Sequence, residues 1–383
     1  MEKQLKSSAS FADSKPHYHL LDGLRGVAAL LVLWYHIHEG FAFASGVPAI
    51  EGISHGYLAV DFFFMLSGFV IAYAYDDRLG KSMSLCGFFK RRLIRLHPMV
   101  VMGAIVGMVS FLMVGCQKWD GSHAPISSVM IALLCAMLFI PTVPGGVAEV
   151  RGNGEAFPLN GPAWSLFFEY IGNIIYAFVL RRLSNRWLTV LVVALGIGLG
   201  AFACLDVSGY GNIGVGWTMA DGGFWYGLLR MSFPFTMGMW LLRNVKLVRI
   251  KGAFWICAAA LVVFLYVPNI TGDGTLCLNG IYETVCLVLL FPVVVWIGAG
   301  GDTNGLSAKV CKFFGDISFP LYIIHYPVMY YFYAWMIDNK KYTLEETWLE
   351  STAVCLLCVL MAYAFLKLYD EPIRKWLAKK FVK

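Results

Sequence analysis

Arg25 and His36 stand eleven positions apart in a run of residues that is otherwise almost wholly apolar. At about 100° per residue, eleven steps make three turns plus about 20°, so a helix presents both side chains on one face, about 16 Å apart along its axis. Arginine holds phosphate through charge-assisted, often bidentate hydrogen bonds. An imidazole works near neutral pH as a general base, or itself accepts an acyl group. The pair therefore suits a donor with an anionic head at the membrane surface and a flexible arm that carries a reactive group inward. A purely structural reading stands beside this one: Arg25 as an orientation anchor and His36 as a polar contact to a neighbouring helix.

Further ionisable groups lie in or against apolar runs, where each costs at least about 2.5 kcal/mol and needs a reason. Lys90, Arg91, Arg92 and Arg95 precede Leu96-His97-Pro98, and Arg92 and Arg95, three apart, share a helical side. Orientation bias explains several of these charges, but not an arginine set so tightly against the membrane entry; with Arg25 they form a candidate site for a polyanionic cofactor. Gly161-Pro162-Ala163-Trp164-Ser165-Leu166 opens another apolar run, with Glu169 one turn inside it. Tryptophan marks an interface, whereas a glutamate beyond it has no such explanation. His325 lies between Pro320 and Pro327, where it either caps backbone groups freed by the prolines or lines a substrate path. Asp61 and Ser67 share a further run, and Asp61 is expected near its outer end, in contact with solvent.

The elements that must position these residues follow from composition. The 383-residue chain is 59% hydrophobic and 14% charged, too apolar for a soluble domain of this size, so its partner is the lipid bilayer. The net charge of +6 comes from Lys and Arg clustered between apolar runs, the pattern of membrane orientation, which excludes nucleic acid as the reason for the basic balance. A span needs about 20 mostly apolar residues. That rule predicts an all-α bundle of about ten transmembrane helices, over 24–43, 57–75, 99–116, 163–180, 187–205, 224–242, 253–267, 281–300, 317–337 and 351–368. The apolar segment at 129–140 is short and ends at Pro141; treated as re-entrant or interfacial, it leaves every basic cluster and both termini on the cytoplasmic side.

Three regions result: a polar cytoplasmic tail at 1–20 without signal-peptide features, a transmembrane domain at 21–372, and a basic amphipathic tail at 373–383 that reads as a surface anchor. The stretch 117–161 is the longest outward connection, of a length that is often functional. Cys135, Cys257, Cys286 and Cys355 sit in apolar runs, and Cys355 with Cys358 has no histidine or acidic neighbour, so no metal is expected. Cys116 and Cys277 fall near outward ends, where a disulfide is open to them.

Taken together, these motifs resemble the acyltransferase 3 family of membrane acyltransferases, over nearly the whole chain. Leu21-Asp22-Gly23-Leu24-Arg25-Gly26 through His36 is similar to the family's first-helix motif, a basic residue followed after ten positions by histidine. Val60-Asp61-Phe62-Phe63-Phe64-Met65-Leu66-Ser67-Gly68-Phe69, Phe88-Phe89-Lys90-Arg91-Arg92-Leu93-Ile94-Arg95 with Pro98, Trp164-Ser165-Leu166 with Glu169, the His325 segment and Glu371-Pro372 complete the set in order. Phe319-Pro320 replaces the family's usual Tyr-Ser type pair.

The resemblance implies an acyl-CoA donor, commonly acetyl-CoA, on the cytoplasmic side of a bacterial inner membrane, and an acceptor hydroxyl or amine on a sugar, lipid-linked glycan, antibiotic or cell-wall polymer. It assigns Arg25, Arg92 and Arg95 to the CoA phosphates, His36 to base or acyl-carrier chemistry, and Glu169 to orienting the acceptor or tuning an imidazole. Asp61, Ser67, Trp164, Ser165 and His325 would line the substrate path. A standalone member without an extracytoplasmic hydrolase-like domain is expected. The rival class is a transporter or flippase that uses the same buried ions as a path.

Overall fold

The structure, a computed structural model, describes residues 15, 17–46, 53–270 and 276–382, and among them every regular element is helical. In chain order these are α1 (His19–Ser45), α2 (Ala59–Tyr75), α3 (Leu85–Met113), α4 (Ile126–Met137), α5 (Ala163–Phe178), α6 (Asn185–Cys204) and α7 (Gly223–Asn244). Then come α8 (Ala253–Tyr266), α9 (Leu278–Val285), α10 (Phe291–Gly300), α11 (Gly305–Asn339), α12 (Leu344–Phe365) and α13 (Glu371–Phe381). A π-helical turn joins α9 to α10 and another joins α12 to α13, so each pair runs on as one rod.

Helices cover each of the ten predicted segments apart from a few terminal residues. Seven are long and apolar enough to cross a membrane, which makes this an all-α multi-pass membrane protein. α7 and α11 are long enough but interrupted by charged side chains such as Arg230, Lys312 and Asp316. α4 has 12 residues, about 18 Å of rise against a hydrocarbon core of about 30 Å, and lies against α3 through Val129, Ala132, Leu133 and Ala136. α3 begins at Leu85, where Ser84 accepts a hydrogen bond from the Gly87 backbone, so the basic cluster lies inside the helix and not ahead of it. Most of the tail predicted at 1–20 lies outside the described residues. All ten cysteines are free; the Cys277 thiol donates to the Gly211 carbonyl at 3.2 Å, and the disulfide left open between Cys116 and Cys277 does not form.

The bundle is drawn together where helices meet through glycine. α1 and α11 share the most extensive helix contact: a Cβ added at Gly26 would lie 2.4 Å from the Phe314 carbonyl oxygen, and one at Gly40 would lie 2.2 Å from the Tyr333 ring. α2 and α7 make the same kind of contact reciprocally, Gly68 against the Phe235 backbone and Gly238 against that of Met65. In lipid, where no hydrophobic drive distinguishes helix from solvent, such backbone proximity gives the packing its strength. Pro327 has no N–H to offer the Ile323 carbonyl four residues back; Asn160 Nδ2 donates to it instead at 2.9 Å, tying the connection before α5 to the middle of α11. Ala156, hydrogen-bonded to Trp217 O at 2.8 Å, fastens the connections at 138–162 and 205–222 to each other over the end of the bundle away from the α1 N-terminus.

Leucine at Gly26 forces α1 off α11. Gly26→Leu should destabilise the detergent-solubilised protein by about 1–3 kcal/mol, read as a lowered thermal midpoint; a wild-type midpoint contradicts the packing described.

Candidate functional site

A cavity of about 740 Å³ opens at the end of the bundle where α1 begins and runs between α1, α2, α3, α5 and α11. Its lining follows α2 from Tyr75 to Val60, a depth of about 22 Å by helical rise. Arg25, Arg92 and Arg95 all line it, brought together from α1 and α3 as the sequence predicts. Arg25 donates to Asp22 Oδ1 at 3.1 Å and Arg92 donates to Glu169 Oε1 at 2.7 Å. The same Glu169 oxygen accepts from Ser67 Oγ at 2.7 Å, so Ser67, Arg92 and Glu169 form one polar station on the wall. Arg95 makes no hydrogen bond or ion pair among the described residues, which leaves its guanidinium available to an anion.

Toward its inner end the cavity reaches Ser165 and Tyr322, whose hydroxyls are 2.6 Å apart. Behind Tyr322 stands His325, fully buried, its Nδ1 3.1 Å from the Leu321 carbonyl and its Nε2 without a partner. The His325 ring stacks on His36 at 5.2 Å between centroids, and the Tyr326 ring meets His36 edge-on at 4.6 Å. Tyr322 and His325 thus stand between His36 and the open cavity. His325 does not cap the backbone that Pro327 frees; Asn160 does.

His36 owes its orientation to a residue the sequence reading passed over. Glu39 Oε2 lies 2.6 Å from His36 Nδ1, one helical turn away on α1, while Tyr35 donates to the other carboxylate oxygen at 3.2 Å. A carboxylate on Nδ1 fixes the tautomer that leaves the Nε2 lone pair for a reacting group and stabilises the imidazolium once a proton is taken. Glu169, expected to tune an imidazole or orient the acceptor, is instead bound to Arg92 and Ser67. The Tyr333 hydroxyl donates to the His36 carbonyl at 2.5 Å and ties the dyad to α11.

Asp61 is not at a solvated end. It is fully buried, and Arg230 of α7, equally buried, grips it with Nε at 3.0 Å and Nη2 at 2.8 Å. Arg230 also donates to the carbonyls of Val215 and Tyr57, and Trp164 lies against its guanidinium at 5.2 Å. Asp61 and Trp164 therefore hold the wall in place, whereas Ser67 and Ser165 line the cavity itself. Arg230 was legible by the rule that singled out Arg25, a charge within an apolar run. Among the described residues no group of three or more His, Cys, Asp or Glu side chains is placed to hold a metal.

Beyond His36, at the opposite end of the bundle, Tyr330 donates a short hydrogen bond to Glu155, and buried Arg151 lies over the Tyr330 ring at 3.8 Å. Burial in this connection pushes the Glu155 carboxyl from 4.5 up to about 7, against the opposing pull of Tyr330 and Arg151. A carboxyl raised on folding costs stability progressively as pH climbs from its unfolded value to its native one, here from 4.5 to about 7. Glu155→Gln removes that cost, so the loss of thermal midpoint between about pH 5 and about pH 8 should be smaller in the variant than in wild type; an equal loss contradicts it.

Comparison with known proteins places these residues in a family context. Residues 18–367 match the acyltransferase 3 family, described as an acyltransferase domain. The chain is similar to acyltransferase MdmB of Streptomyces mycarofaciens, 25% identical over 365 residues, which is 90% of this chain and 87% of that protein. Protein 2 in the picA locus of Rhizobium radiobacter is 37% identical over 185 residues, 46% of this chain and 88% of its own. O-acetyltransferase OatA of Staphylococcus aureus is 24% identical over 378 residues, 93% of this chain; the chain spans 57% of the length of OatA. No solved structure matches.

Proposed function

The chain belongs to the acyltransferase 3 family of membrane acyltransferases, and from that premise we propose that it moves an acyl group, acetyl by expectation, from cytoplasmic acyl-CoA to a hydroxyl of a cell-surface glycan or lipid-linked sugar. Family membership makes it an enzyme, and its long apolar helices and bacterial relatives put it in a bacterial cytoplasmic membrane; the transporter reading has no such support. The observation that carries the reading is the His36–Glu39 pair at 2.6 Å, set beyond the inner end of a cavity lined by Arg25, Arg92 and Arg95. In this reading ten helices span the bilayer, and both termini and the cavity mouth face the cytoplasm.

The arginines hold the phosphates of the donor, and its flexible arm follows the cavity inward past Ser67 toward Tyr322. The thioester reaches His36 by displacement of the Tyr322 and His325 rings, which fill the remaining gap. His36 Nε2 takes the proton of the acceptor hydroxyl as its oxygen attacks the thioester carbonyl. The new ester C–O bond forms, the C–S bond breaks, and the proton passes from His36 to the departing thiolate. Glu39 stabilises the imidazolium in between. In the covalent variant Nε2 attacks the carbonyl first and the C–S bond breaks to release the thiolate; the acceptor oxygen then attacks the acyl-imidazole, the C–N bond breaks, and the acceptor's proton ends on the thiolate. The enclosed bundle keeps bulk water from the thioester in both cases.

Membranes holding wild type, Arg25→Ala or His36→Ala, supplied with labelled acetyl-CoA and cell-envelope glycan, test the proposal. His36→Ala should lower label transfer by about 10²-fold or more, and Arg25→Ala should raise the donor concentration required. Equal labelling by all three contradicts the mechanism.

A further inference from the structure

One wall of the donor cavity is built by α13, from residues that lie beyond the stretch matched by the family, 18–367. Arg374, Lys375, Ala378 and Val382 line the cavity, while Trp376 and Phe381 are exposed on other sides of the same helix. A basic helix at this position was expected only to anchor the chain to a membrane surface; the structure gives one of its faces to the cavity. The π turn at Leu366–Asp370 changes the helical phase just before α13, and Asp370 and Glu371 join the lining with it.

Three observations point to an anionic ligand at this wall. Arg374 donates to Asp370 through Nη2 at 3.0 Å, yet its Nε is buried and unpartnered, as is Asp370 Oδ1. Arg95, on the facing α3, is close enough to repel both Arg25 and Arg374. The cavity lining holds nine Lys and Arg against five Asp and Glu, an excess of four positive charges. Like charges gathered in a half-buried site repel until an anion enters between them.

We propose that α13 completes the donor site, and that Arg374, facing Arg95 at the cavity mouth, binds the ribose 3′-phosphate of acyl-CoA, exchanging its bond to Asp370 for a charge-assisted one to the phosphate. The inference rests on the acyl-CoA reading above. That reading sends the donor's arm inward past Arg25 and Arg92, which leaves the ribose phosphate, at the other end of the molecule, beside α13. The remaining exposed face of α13, with Trp376, Lys379 and Lys380, stays free for the membrane surface.

Calorimetric titration of the full-length protein in detergent without added lipid, with CoA and with 3′-dephospho-CoA, tests this. Wild type should prefer CoA by about tenfold, Arg374→Gln should bind both ligands alike, and Arg374→Lys should keep part of the preference. Asp370→Asn, which releases Arg374 from its partner, should increase the preference, and it carries the test if Arg374→Gln does not fold. A wild-type preference retained in Arg374→Gln, or an unchanged or smaller one in Asp370→Asn, overturns the inference, as does equal binding of both ligands by wild type. Binding of neither ligand by wild type overturns the acyl-CoA reading and this inference together.

Discussion

The close approach of α1 and α11 is the constraint on which the site depends. Gly26 lets the α1 backbone meet α11 at Phe314, and Gly40 admits the Tyr333 ring. With two rigid helices held this closely at both ends, His36 has little choice but to stack on His325 and meet Tyr326. Arg25, on the same helix face about three turns earlier, is carried to the cavity by the same contact. The distance between the Arg25 guanidinium and the imidazole is thus set by helical rise, and α1 acts as the ruler.

Buried charge supplies the second level of order. Asp61 with Arg230 and Glu169 with Arg92 each remove an isolated charge from an apolar setting, while Glu39 is held by hydrogen bonds to His36 and Tyr35. Such pairs add little net stability, because desolvation offsets much of the attraction, but losing one partner leaves the other costly. Their consequence here is geometric. Arg230 fixes α2 to α7 through Asp61 and two backbone carbonyls, which holds the wall opposite α1, and Glu169 keeps Arg92 turned toward the cavity lining.

The multi-pass helical fold was legible because apolar runs of spanning length announce themselves, and Arg25, Arg92 and Arg95 were legible as charges without another reason to be there. Partners were harder to see. Asp61 looked solvated because Arg230 stands 169 positions away, and only the packing of α2 on α7 joins them. Glu169 looked free for chemistry because Arg92 is 77 positions distant. Glu39 was within reach of the sequence, one turn from His36 on the same helix, but nothing in its spacing from Arg25 singled it out. The role of α13 was hidden because an amphipathic pattern says that a helix has two faces, not what each one covers.

Dependence of His36 on Glu39 is read directly in the steady-state kinetics of Glu39→Gln. Glutamine keeps the shape and one hydrogen bond but gives up the charge that fixes the tautomer and stabilises the imidazolium. If His36 acts through Glu39, kcat falls by about 10²-fold or more while the KM for the acyl donor stays within about twofold, since Glu39 does not line the cavity. A wild-type kcat in this variant, or a loss confined to donor KM, would contradict it.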